Sequence, residues 1–138
     1  MSEESRIPAE GGCLCGAIRY RVLAEPSWVG NCHCTLCRRA SGAPFVSWLT
    51  VASDAFALTK GRPVGFNSSP FARRQFCGTC GTQLTFQRNK EQDSIDVTVA
   101  TLDNPDAFPP HNHVFVGTHL SWLSLEDGLP QKPGTPPG

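Results

Sequence analysis

The sequence predicts a mainly β fold: several short, coiled antiparallel sheets with one or two short helical turns. Three features carry this expectation. Apolar residues alternate with polar ones in short runs, Pro and Gly interrupt those runs often, and no long helical period appears. In order along the chain, Ile18, Tyr20 and Val22 alternate with Arg19 and Arg21, and residues 45–51, 64–67 and 83–87 are further candidate strands. Ile95, Val97 and Val99 alternate with Asp96, Thr98 and Ala100, and 113–116 is a last candidate. A helical turn or two is expected after Thr35, through Arg38, Arg39 and Ala40, with Gly42 as its stop. A second is expected at 103–107, where Pro105 follows cap candidates.

With 138 residues, the chain suits one compact domain, expected over 10–130, with disordered segments at 1–9 and 131–138. Formal net charge is zero and charged residues make up 17% of the chain, which argues against nucleic acid as the main partner. A local basic patch stays possible. No apolar run approaches the roughly 20 residues that span a bilayer, and the polar, acidic start has no hydrophobic segment of the secretory kind. The expectation is a cytoplasmic protein without a membrane partner; the sequence does not give the oligomeric state.

The seven cysteines are an odd number, so internal disulfides cannot use them all. They fall in close groups: Cys13-x-Cys15, Cys32-x-Cys34-x-x-Cys37 and Cys77-x-x-Cys80. Converging thiolates of this kind suit zinc, which prefers four tetrahedral ligands. The expected fold is therefore organised around zinc, which substitutes for part of a small core. Cys13 and Cys15, on one face of a strand, can close a four-ligand site with the Cys77–Cys80 knuckle. That leaves Cys32, Cys34 and Cys37 with a vacancy, the pattern of a reactive site. Two other partitions stay open. One is a zinc ribbon of Cys34, Cys37, Cys77 and Cys80, and the other has His33 as a fourth ligand of the middle cluster, although its side chain is expected to point away.

The motifs Gly12-Cys13-Leu14-Cys15-Gly16-Ala17, Cys32-His33-Cys34-Thr35-Leu36-Cys37-Arg38-Arg39, Ala43-Pro44-Phe45 and Arg74-Gln75-Phe76-Cys77-Gly78-Thr79-Cys80-Gly81-Thr82 follow one another in that order. With Trp122-Leu123 and Asp127-Gly128-Leu129-Pro130, they resemble the glutathione-dependent formaldehyde-activating enzyme family, which also includes centromere protein V. The resemblance implies a zinc-containing β fold shared with a small Rab guanine-nucleotide exchange factor. It implies two zincs per chain: a structural one on Cys13, Cys15, Cys77 and Cys80, and a catalytic one on Cys32, Cys34 and Cys37. It also implies addition of glutathione to formaldehyde, or the reverse carbon–sulfur cleavage of a lyase.

Chemistry points the same way. A thiol entering a three-thiolate site is deprotonated there, which raises its nucleophilic fraction beside an aldehyde. The resulting negative charge calls for a cation, and Arg38 and Arg39 are the candidates, both for that task and for binding the carboxylates of a glutathione-like thiol. Arg73 and Arg74 are expected to support strand packing, with a substrate role less favoured. His113, in the His111-x-His113 pair, is a candidate acid/base group, and His119 reads as a surface residue. The three Trp and eight Phe are expected mostly in the core. The alternative function is a non-catalytic zinc module for protein binding, and a nucleic-acid-binding zinc ribbon is a third.

Overall fold

A computed structural model describes residues 5–134. Ten strands and one helix follow in chain order: β1 Ala9–Gly12, β2 Arg19–Val22, β3 Trp28–Cys32, α1 Thr35–Ser41, β4 Val46–Ala52, β5 Phe56–Lys60, β6 Val64–Ser69, β7 Ala72–Phe76, β8 Gln83–Arg88, β9 Ser94–Thr98 and β10 His113–Val114. They form a three-stranded sheet, β1-β2-β5, and a seven-stranded sheet ordered β10-β3-β4-β9-β8-β7-β6. Every pairing is antiparallel except that of β10 with β3. The fold is mainly β, as the alternation predicts. The helix after Thr35 and the turn at Pro105–Ala107 stand where expected.

Alternation along β4 divides the molecule. Leu49 and Val51 join Tyr20, Val22, Ile95 and Val97 in the larger core, between the two sheets. Val46 and Trp48, one residue out of phase, point to the opposite face and pack with Cys32, Cys37 and Val114. Each fully buried side chain of this size contributes about 1.5–3 kcal/mol. The seven-stranded sheet thus has a cysteine cluster on each face, since Cys13 and Cys77 belong to the larger core.

Four strands lack the alternating signature. β1 is Ala-Glu-Gly-Gly, β5 is largely exposed, β7 carries two arginines, and β3 is buried over its last four residues, so it has no polar face to alternate with. The last candidate strand stops at Val114, because Phe115 takes a left-handed conformation, φ 55°. Order also extends past the expected domain limits. Ala9 pairs with Val22, while His113 forms a bridge with Gln131, and the Lys132 amide donates to its carbonyl. Of the expected disordered ends, residues 1–4 and 135–138 lie outside the described residues. Among the described residues, no helix is long and apolar enough to cross a membrane.

Candidate functional site

Two cysteine groups converge. In each, the sulfurs lie within 4.8 Å of one another: Cys13, Cys15, Cys77 and Cys80 in one, and Cys32, Cys34 and Cys37 in the other. None is disulfide-bonded. This partition separates Cys34 and Cys37 from Cys77 and Cys80, so the single-ribbon alternative is set aside.

In the four-cysteine group, Cys13 and Cys15 lie in the turn after β1 rather than on a strand, and Cys77 and Cys80 form the β7–β8 knuckle. The Sγ atoms of Cys13 and Cys15 are 3.6 Å apart, and those of Cys15 and Cys77 3.8 Å. Tetrahedral zinc with sulfur at about 2.3 Å requires a separation of about 3.8 Å, whereas a disulfide is near 2.05 Å. The set fits a zinc ion. Backbone N–H groups already face the sulfurs: Ile18 donates to Cys13, and Thr79 and Cys80 donate to Cys77. Gly81, φ 81°, closes the knuckle. Hydrogen bonds from the Thr82 hydroxyl and backbone hold the Cys80 thiol down to about 5, favouring its thiolate.

The three-cysteine group comes from one short segment. Cys32 ends β3, Cys34 is the N-cap of α1, and Cys37 lies in its first turn. The Cys37 N–H donates to Cys34 Sγ, so a sulfur performs the capping usually done by an oxygen. Gly42, left-handed at φ 69°, caps the other end. Hydrogen bonds from Cys32 and Cys37 pull the Cys34 thiol far down despite burial, with the Arg74 charge assisting. The same bond pushes Cys32 up. Three sulfurs this close are a donor set that suits a metal ion, and no other His, Cys, Asp or Glu among the described residues joins it.

The cation at this group is Arg74. Its Nη2 donates to Cys37 Sγ at 3.6 Å and its Nη1 to Gln83 Oε1 at 3.4 Å. The guanidinium carbon stands 5.0 Å from the centre of the Phe86 ring. Arg74 is only 4% exposed. It reaches the cluster because Arg74, Phe86, Asp96 and Thr50 face one another in a row across β7, β8, β9 and β4. The expected cations sit elsewhere. Arg38 bonds Thr35 and lines a shallow depression with Trp122, while Arg39 is exposed and flanks the cleft that Arg74 also lines. Spacing from Cys37 favours Arg38 and Arg39, but helix rotation carries Arg38 aside. Arg74 shares a strand face with buried Ala72, but the polar run Arg73-Arg74-Gln75 carries no apolar alternation to mark it as inward.

His33 is not a ligand. It is fully buried, with Nε2 2.8 Å from His113 Nδ1, and His113 Nε2 is 2.7 Å from Asp127 Oδ2. The carboxylate accepts from His113 Nε2–H, and His113 Nδ1 in turn accepts from His33 Nε2–H. His33 Nδ1 is left without a partner. Burial, aided by the charges of His113 and His119, pushes the His33 pKa down to about 4. His113 is thus a link in a buried chain rather than a pocket residue. His111 is exposed and His119 is a surface residue bonded to the Val116 carbonyl. Trp48 is core, whereas Trp122 is 70% exposed.

The family model described as glutathione-dependent formaldehyde-activating enzyme matches residues 8–118. A protein of Schizosaccharomyces pombe described as an uncharacterized lyase is 30% identical over 115 residues, covering 72% of this chain and 82% of the relative. A Halomonas elongata protein, named as a candidate glutathione-dependent formaldehyde-activating enzyme, is 23% identical over 126 residues, covering 85% of this chain and 80% of its own. A crystal structure of a Rhodobacter sphaeroides protein superposes with a TM-score of 0.57 at 23% identity, over 89% of this chain and 98% of that one, and so shares the fold. The family match spans all seven cysteines, both converged groups and the strands that present them, and on that ground the chain belongs to the glutathione-dependent formaldehyde-activating enzyme family.

Proposed function

We propose that the protein is a zinc-dependent carbon–sulfur lyase or thiol–aldehyde adduct synthase, with Cys32, Cys34 and Cys37 holding a catalytic zinc and Cys13, Cys15, Cys77 and Cys80 a structural one. The observation that carries the reading is the contrast in ligand number, four sulfurs in one group and three in the other. Zinc at the second group would supply a place where an incoming thiol is deprotonated. The chain's own residues do the rest. Arg74 offsets the negative charge of a sulfur-rich site from beneath Cys37, and the apolar packing of Trp48, Val46 and Val114 keeps water from that side. In the forward reaction the thiolate sulfur bonds to the aldehyde carbon, and the carbonyl electron pair moves to oxygen, which takes up a proton. The reverse reaction returns thiol and aldehyde. Glutathione and formaldehyde are the pair that family membership favours.

Exchange spectroscopy of glutathione with formaldehyde tests this. The expected result is exchange well above the spontaneous rate with wild type, lost in Cys34→Ser. No acceleration with glutathione or any small thiol would sink the reading. A second reading, a non-catalytic protein-binding module, draws on Phe66 and Phe71, which are 62% and 75% exposed on the β6–β7 hairpin. It requires partner binding that survives Cys34→Ser.

A further inference from the structure

The two ends of the seven-stranded sheet are finished differently. At one end β10 is covered: His113 bridges Gln131, and backbone bonds tie 113–116 to 130–134. At the other end stands β6, with β7 on one side and no strand on the other. Every second residue of such an edge strand turns its N–H and C=O outward. Among the described residues, no segment takes up those groups. Natural edges are commonly blunted by a charge or a proline within the strand. Val-Gly-Phe-Asn-Ser-Ser has neither, and the register shift between Asn67 and Ser69 leaves 64–67 as regular edge.

The two faces of this edge differ. Phe66 turns to the α1 side, where it lines a cleft with Leu36 and Arg39, and Val64, two residues away, shares that face. Both are exposed apolar side chains. On the opposite face the Arg73 guanidinium, from β7, lies over Gly65 in the space that a Cβ there would occupy. Glycine at 65 thus lets the arginine reach across its neighbouring strand to the rim of the sheet. Arg73 is exposed and, among the described residues, has no carboxylate partner, whereas Arg6, Arg19, Arg21 and Arg88 each have one. The surrounding sequence is basic as well. Residues 55–90 hold six Lys and Arg and no Asp or Glu, so the zero net charge of the chain conceals a positive region.

From these observations we infer that β6 is a docking edge for an extended peptide in which Asp or Glu alternates with bulky apolar residues, added as a further strand of the sheet. Main-chain bonds to 64–67 supply binding common to any strand. Selection comes from the alternation: a residue beside Gly65 meets the Arg73 guanidinium, and the next, on the other face, meets Phe66. A second copy of this chain is a poor occupant. Its β6 offers no carboxylate, and a twofold pairing about an axis normal to the sheet sets two Arg73 guanidiniums on one face. The inference goes beyond the proposed activity and does not depend on how the three-cysteine group is read.

The test uses the ¹⁵N-labelled, zinc-loaded full chain and four capped hexapeptides. The first alternates Glu with Val, and the second alternates Lys with Val. The third has the composition of the first in two blocks, and the fourth is the first N-methylated at two successive central amides, which blocks both strand edges. The expected result is saturable shifts and slowed amide exchange at 64–67 with the first peptide and neither with the other three. Arg73→Gln should weaken the first peptide about fivefold, and Arg73→Glu should turn the preference toward the Lys peptide. Because Arg73 is exposed, both variants should keep the wild-type spectrum outside the β6–β7 hairpin. The inference is overturned if the first peptide leaves the β6 amides unprotected, if the block or N-methylated peptide binds as well, or if Arg73→Glu leaves the preference unchanged. A free chain that sediments as a dimer with β6 already protected overturns it too. So does tighter occupancy of these amides by oligothymidylate or by vesicles of anionic phospholipid.

Discussion

The two cysteine groups solve opposite problems on opposite faces of one sheet. The four-cysteine group draws sulfurs from segments 62 residues apart and joins the β1 turn to the β7–β8 knuckle. The three-cysteine group draws all its sulfurs from a single β3–α1 junction, and α1 is only seven residues long. A metal shared between distant segments closes a long loop and is coupled to folding. One held by neighbouring residues closes almost nothing, so its loss is tolerable and its ligand sphere can stay incomplete.

The sharpest way to break this comparison is to remove one sulfur from each group. Cys77→Ser, in the core at 1% exposure, should abolish soluble expression or leave a chain without cooperative unfolding. The loss is expected on the order of the 10 kcal/mol that structural zinc supplies in small domains. Cys34→Ser should stay folded, lower zinc content from two per chain to one, and lose exchange activity. Circular dichroism melts with elemental analysis check both, and the comparison fails if the two variants behave alike.

A second test removes the buried cation. Arg74→Met keeps most of the volume but leaves the cluster charge unopposed, so zinc affinity at the three-cysteine group should fall about 10–100-fold. The four-cysteine group should be unaffected, as chelator competition would reveal in two separate release phases. A single phase that shifts as one would show that the sites are not independent. Smaller still is the effect of Asp127→Asn. The wild-type carboxyl is held below the usual carboxylate range by the His113 hydrogen bond. The stabilisation from this hydrogen bond is therefore present above the usual carboxylate range and is lost as pH falls through the lowered Asp127 value. The amide that replaces the carboxylate offers His113 a weaker acceptor, and the His33 ring, which flanks both Cys32 and Cys34, should become mobile. A changed ¹⁵N tautomer pattern of His33 and a several-fold faster release of zinc from the three-cysteine group alone are the expected signs.

The legibility of the molecule in its sequence follows the same division. The cysteine spacings reveal both groups, because a sulfur's task is written in its own position and type. β2 and β9 are legible because each has one buried apolar face and one more polar face, and β4 because its run of Val, Trp, Leu and Val is apolar enough to be read as a strand. β3 is not, since its last four residues are buried and leave no polar face, and β7 hides behind its arginines. Arg74 is the instructive miss. Proximity in sequence to Cys37 points to Arg38 and Arg39, while the cation that reaches the sulfur comes across three strand pairings from β4. The His33–His113–Asp127 chain is likewise tertiary: parallel pairing of β10 with β3 brings residues 80 positions apart into contact.

The smallest effect lies in the strand between the two groups. Asp96, in β9, faces the same side as Arg74 and accepts from Thr50 Oγ1 at 2.6 Å. Burial pushes its carboxyl above the ordinary value, although the Thr50 bond and the charges of Arg88 and Arg74 pull the other way. The folded state therefore holds the Asp96 proton more tightly than the unfolded one, and folding becomes less favourable as pH rises through the carboxylate range. At neutral pH an ionised Asp96 is a net cost. Asp96→Asn keeps an acceptor for Thr50 and should raise the melting temperature at pH 7 by about 1–3 °C. The gain should shrink as pH falls below the carboxylate range, where wild-type Asp96 is already neutral. If Asp96→Asn instead lowers the melting temperature and loosens zinc at the three-cysteine group, the Arg74–Asp96 attraction outweighs burial. The charge balance of the open group would then extend into the sheet that separates it from the closed one.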